Sequence, residues 1–306
     1  MAQRNDRLDK AARATEVTRA ELHHIIDHAG AAPVASIYEA ATSTATAHLR
    51  KTLRGRMSAP VELAARASVA KYTVQQAREI AAQVSRSLNQ SAEASARAGI
   101  AAARTYMSTM GSGGKISPLD DRAAIGRILD SYGAHVEEQQ AAIGARMATT
   151  MADRMRATAL RSSAPTVGSY LEDLEIELEN QWNGIRRVAA TETSYAFNRG
   201  QVEALTYAAK ELDIPDLWLR WSERIDERTL DPLDSRVGID SVVMHAQVAK
   251  PGKLFTMPHD KRVHHSLYKS WFCPPNRPND RAVLTPWMRG WGLTGWVLQA
   301  GVRVSL

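Results

Sequence analysis

Residues 60–109 read PVELAARASVAKYTVQQAREIAAQVSRSLNQSAEASARAGIAAARTYMST, a stretch whose only proline stands at its start and whose only glycine is Gly99. With nothing inside it to break a helix, the segment is expected to form one rod of about 75 Å at 1.5 Å per residue. Val69, Ile80, Val84, Leu88 and Ile100 give it a thin apolar stripe, and Ala or Ser fills most other inward positions. Small side chains let helices approach closely but bury little area each, so such a helix needs neighbours along its length. Tight helix pairing or oligomerisation is the expected remedy.

Working outward, proline and tryptophan divide the chain. Only Pro33, Pro60, Pro118 and Pro165 precede residue 200, whereas eight prolines lie between Pro215 and Pro286, and six of the seven Trp lie from Trp218 onward. Helices are expected at about 4–29, 34–54, 60–109, 118–162 and 167–212. Ser117-Pro118-Leu119-Asp120 and a capping box of Ser169 with Glu172 serve as start signals. After Pro215 the period changes. Leu217, Leu219 and Trp221 alternate with Trp218 and Arg220, which predicts a strand near 217–222. Shorter strands are expected at 241–248, 253–256, 282–285 and 295–304, separated by turns such as Pro251-Gly252. The fold class is therefore mainly α, a long-helix N-terminal body with a small α+β, β-rich C-terminal domain. The expected divisions are a bundle or rod over 1–164, connecting helices over 165–214 and a compact domain over 215–306.

Of the net charge of +6, residues 1–164 hold 22 Lys/Arg against 15 Asp/Glu, and residues 165–306 hold 17 against 18. The excess sits on the helical body and suits an acidic partner such as DNA or an acidic protein wall. Arg86, Arg97 and Arg104 share a helix face and are the candidate DNA contacts, although Glu79 and Glu93 fall on nearly the same face. Any such contact would be sequence-independent and salt-sensitive. No apolar run approaches the roughly 20 residues of a membrane span, and the polar N-terminus has no signal-peptide core. No membrane partner is expected, and synthesis in a cytoplasm is.

Candidate chemistry is sparse. Cys273, the only cysteine, excludes an intrachain disulfide and a multi-cysteine metal site; within Trp271-Phe272-Cys273-Pro274-Pro275 it reads as a packed residue. Asp226, Glu227, Asp231, Asp234 and Asp240 offer oxygen ligands, but Arg224, Arg228 and Arg236 interleave with them and mutual salt bridging is the simpler account. His259, Asp260, His264 and His265 match no zinc spacing and read as a solvated loop. Gly111-Ser112-Gly113-Gly114-Lys115 lacks the strand and the spacing of a phosphate loop and reads as a linker. No metal, cofactor or catalytic residue is expected. Trp287, Trp291 and Trp296 either anchor a partner or fill the core of a domain with few other large apolar groups.

Ala190-Thr191-Glu192-Thr193 with Ala196-Phe197-Asn198-Arg199-Gly200, then Trp218 to Trp221 leading into Asp226-Glu227-Arg228-Thr229, Pro251-Gly252-Lys253-Leu254-Phe255, and Pro274-Pro275-Asn276-Arg277-Pro278-Asn279-Asp280-Arg281-Ala282-Val283-Leu284 follow one another over residues 185–286. In that order they resemble the phage head-morphogenesis family, the Mu F-like minor head proteins. The structural residues carried by the resemblance are Glu192, Asn198, Trp218, Trp221, Asp226, Arg228, Pro275, Asp280 and Arg281. Many members carry cysteines where this chain has Asp280 and Ala282, so a thiolate knuckle is impossible here. Asp280 with Arg281 or Arg228 is expected to hold the loop instead. The resemblance implies a non-enzymatic minor head protein of a virion, made in a bacterial cytoplasm and present as a homo-oligomer or in multiple copies per particle. Its partners would be the portal or major capsid protein. The alternatives are a DNA-binding protein of the particle interior, and a metal-dependent hydrolase or toxin-like domain using Glu192, Asp226, His259 and His264.

Overall fold

The computed structural model describes residues 2–52, 63–111, 166–211, 214, 216–223, 243–257, 270–271, 273–274, 282–299 and 302–306, with single helical positions between 123 and 157. The chain is mostly helical, with a small antiparallel region near its C-terminus. Helices α1 (Ala2–Ile25), α2 (Ala32–Thr52), α3 (Leu63–Thr109) and α4 (Val167–Glu211) fall close to the expected spans. Strands β1 (Trp218–Ser222), β2 (Val248–Ala249), β3 (Phe255–Thr256), β4 (Ser270–Trp271), β5 (Val283–Trp287), β6 (Trp296–Gln299) and β7 (Val302–Ser305) follow. Among the described residues no helix is long and apolar enough to cross a membrane.

Local chemistry accounts for the differences. The break expected before Pro33 is instead a π-helix, Ile26–Ala31, that joins α1 to α2. Proline lacks an N–H and crowds the preceding turn, and a widened turn accommodates both. The cap of α4 lies one turn upstream of Ser169: the Thr166 hydroxyl accepts the Ser169 N–H at 3.3 Å, and the Thr166 carbonyl accepts the Tyr170 N–H at 3.0 Å. Within 241–248, Val243 and Met244 are helical; Gln247 forms an isolated bridge with Trp296 and the strand β2 begins at Val248. The strand expected over 295–304 is two, with Val297 opposite Val304 and Gln299 opposite Val302.

Two compact units form, and they do not follow the expected divisions at 164/165 and 214/215. One comprises Met1–Asp27, Ala92–Ser131 and Thr191–Leu306; the other comprises His28–Ser91 and Tyr132–Ala190. The divisions at 91/92 and 190/191 fall inside α3 and α4, so no Pro- or Gly-rich linker marks them. The second unit buries Val34, Tyr38, Val69, Ile80, Val84, Leu88, Tyr170, Leu171 and Ile185 in one core. Its buried α3 positions 77, 80, 81, 84 and 88 recur at helical spacing. Tyr38 stacks on Trp182 with centroids 5.2 Å apart.

In the first unit a three-stranded antiparallel sheet, ordered β2-β1-β5, packs with α1 and with parts of α3 and α4. Trp221 faces Leu284 and Arg220 faces Thr285 across β1 and β5. Leu22, Ala102, Phe197 and Val283 form the joint between helices and sheet. Helices α3 and α4 meet there backbone to backbone: a Cβ built on Gly99 would land on the Phe197 carbonyl, and one on Gly200 would land on the Ala96 carbonyl. Ala246 has φ of 66°, the left-handed region, and is fixed from both sides. Its N–H donates to the Trp221 carbonyl at 2.8 Å, and its carbonyl accepts the Trp296 N–H at 3.1 Å.

Candidate functional site

The helix segment Thr191–Gly200 is almost wholly inward-facing: Thr193, Ser194, Ala196, Phe197, Asn198, Arg199 and Gly200 are buried, and Glu192 is half-buried. Asn198 is the pivotal side chain. Its amide oxygen accepts the Leu284 N–H at 2.9 Å, and its amide nitrogen donates to the Ala282 carbonyl at 3.3 Å and the Ser194 carbonyl at 3.0 Å. Among the described residues β5 lies at one end of the sheet order, and on that side the Leu284 N–H is directed at helix α4. The amide therefore stands in for the peptide of a missing neighbouring strand. Trp221 packs edge-on against Phe255 at 5.3 Å, and its ring N–H donates to Glu223 at 2.9 Å. Trp218 carries Lys250 over its ring at 4.3 Å.

Beside this joint lies a buried polar cluster that the sequence reading missed. Arg220 is 5% exposed. It donates to the Thr294 carbonyl at 2.9 Å and to the Ser222 hydroxyl at 2.7 Å, and it approaches His245 Nε2 at 3.4 Å. Ser222 reaches Thr285 at 3.1 Å. The Tyr106 hydroxyl bonds the Ala11 carbonyl at 3.2 Å and meets Thr15 at 3.3 Å. Arg19 donates to the Glu223 carbonyl at 2.6 Å. Burial lowers the Arg220 guanidinium to about 10; Tyr106 opposes the shift and Arg19 adds to it. The group stays charged at neutral pH. The signal for it was an arginine in a strand whose every other residue is Trp, Leu or Ser.

His245 is lowered to about 4, first by burial and then by the Arg220 and Arg19 charges, with a bond to the Glu223 backbone opposing. Since guanidinium only donates, Nε2 accepts and the folded imidazole is neutral. The unfolded chain takes up this proton near the ordinary 6.5, while the fold refuses it until about 4. Stability from this group is thus full above pH 6.5 and falls away between 6.5 and about 4. Thermal unfolding followed across that window should show the loss, and His245→Gln should flatten it.

The other expected site residues are scattered. Trp287, Trp291 and Trp296 are core residues, a correction to the docking role entertained for them. Trp287 donates to the Leu293 carbonyl at 3.0 Å, Trp296 donates to the His245 carbonyl at 2.8 Å, and Trp291 stacks on Tyr106 with centroids 6.2 Å apart. Large rings, with the N–H groups of Trp287 and Trp296 satisfied, supply the core where few aliphatics exist. Arg86 is exposed, Arg97 is held by Glu93 at 2.7 Å, and Arg104 is half-buried, so the three do not form one open basic face. Cys273 is buried, and burial pushes its thiol up to about 12 against the opposing Arg199 charge. It is not a thiolate at neutral pH. Asp226, Arg228, Pro275, Asp280 and Arg281 lie outside the described residues, as do His259, His264 and the acidic run. Among the described residues no group of three or more His, Cys, Asp or Glu is placed to hold a metal. Comparisons with protein-family models, with curated proteins and with solved structures find no match to this chain.

Proposed function

We propose that this chain is a structural minor head protein of a tailed phage or phage-like particle, docking to a portal or major capsid protein during head morphogenesis. The observation that carries the reading is the order of the resembling segments over residues 185–286. Their packing supports it: Asn198, Ala282 and Leu284, from the first and last of those segments, bond to one another. Trp218 and Trp221, from between them, lie on the strand paired with Leu284 and Trp287. Side chains spent on joining helix to sheet suit a module whose work is contact. The reading of the chain as a DNA-binding protein draws only on the charge excess of the helical body, and Arg97 and Arg104 are already engaged or half-buried.

The test is mass spectrometry of particles purified from the source bacterium after induction. The chain is expected in the particle fraction at a small, fixed ratio to the major capsid protein. Intact particles without it, or particles assembling normally after its gene is deleted, would dispose of the reading.

A further inference from the structure

Helices α1 and α3 run side by side in the first unit and leave an open groove of about 270 Å³ between them. Its floor is Ala14, Thr18, Ala102 and Tyr106, all buried. One wall is Arg13, Val17 and Glu21 on α1; the other is Ala101, Thr105 and Thr109 on α3. Both walls advance by four residues, so each is a single ridge along its helix. Val17 is 57% exposed, a large apolar side chain standing between Arg13 and Glu21 and opposite a wall of alanine and threonine.

The charges on the α1 wall say what fits. Arg13 and Glu21 lie four residues to either side of Val17, about 6 Å along the axis in each direction. Neither has an ion-pair partner among the described residues. A helix carrying a cation and an anion at equal distances from a central apolar residue is complementary to itself when turned end for end. Two-fold pairing sets Arg13 of each copy against Glu21 of the other and brings the two Val17 together at the axis.

We propose that this groove is where two copies of the chain pair. The α1 ridge of each copy lies in the α1–α3 groove of the other, making a four-helix contact about a two-fold axis. Such an isologous arrangement uses the same patch twice and closes on itself. It explains why the groove walls on α3 are small: Ala101, Thr105 and Thr109 leave room for an incoming valine ridge. The inference stands on the groove and its charges alone and does not depend on the proposed function.

Charge reversal tests it in the full chain by sedimentation velocity over a concentration series. Arg13→Glu or Glu21→Arg alone sets like charges together at both symmetric contacts and should weaken the dimer by about tenfold or more. The double swap Arg13→Glu with Glu21→Arg restores opposite charges and should recover it, a result that a general loss of folding cannot give. Val17→Cys, oxidised with oxidised glutathione, should trap a covalent dimer across the axis. Unchanged protein is a clean background because its Cys273 is buried, and Ala12→Cys on another face of α1 should trap far less. A wild-type chain that stays monomeric throughout means the groove serves some other occupant and overturns the proposal. So does a double swap no better than the single reversals, or equal trapping at positions 12 and 17.

Discussion

Gly200→Ala should lose about 2–3 kcal/mol of unfolding free energy, although alanine is the better helix former by close to 1 kcal/mol. The reason is the α3–α4 crossing, where Gly99 and Gly200 each face a carbonyl of the opposite helix. A flexible side chain could swing aside, but Ala96 and Phe197 meet the glycines with helical backbone. The helices must separate at a crossing whose Phe197 is fully buried. Gly184, on the same helix α4, has open space around it. Gly184→Ala should therefore stabilise by up to about 1 kcal/mol through propensity alone. Urea unfolding followed by far-ultraviolet circular dichroism reads both. If the two substitutions shift stability in the same direction, the close crossing is not what the glycines are for.

Asn198→Ala should cost about 2–4 kcal/mol, because the Leu284 N–H and the Ala282 carbonyl lose their partner together in a site with no water access. Asn198→Asp is the sharper probe. Its carboxylate can still accept from Leu284 but cannot donate to the Ala282 and Ser194 carbonyls, and it buries a charge. The loss at neutral pH should exceed that of Asn198→Ala. It should partly recover in mild acid, where the introduced acid takes a proton and becomes a donor. Hydrogen exchange at the Leu284 amide gives a local readout; protection unchanged in both variants would refute the bridging role.

Much of this architecture could be read from spacing alone. The stripe of Val69, Ile80, Val84, Leu88 and Ile100 specified the inward face of α3, and all five are buried. The alternation around Trp221 located β1 to within a residue. What escaped was whatever depends on a partner distant in sequence. A period-two pattern predicts one wet face, but in β1 the second face is covered too, which is why Arg220 and its hydroxyl cluster were not foreseen. The division into two units escaped for a similar reason: the helical period continues unbroken where one core gives way to the next. Thr166 and Ser169 carry the same capping chemistry three residues apart, and only the backbone decides between them. The three tryptophans 287, 291 and 296 show the same dependence, since their rings are equally fit for a core or an interface until neighbours are assigned.

The left-handed residue at 246 acts as a sieve on sequence drift. Because both of its peptide groups are held by neighbouring strands, the backbone cannot relax to suit a new side chain, and crowding at Cβ decides what is accepted. A library randomised at this codon, where the side chain is buried, and sorted for soluble, protease-resistant protein should return glycine and alanine. It should be emptied of valine, isoleucine and threonine, so this one torsion angle narrows the alphabet available to the whole turn.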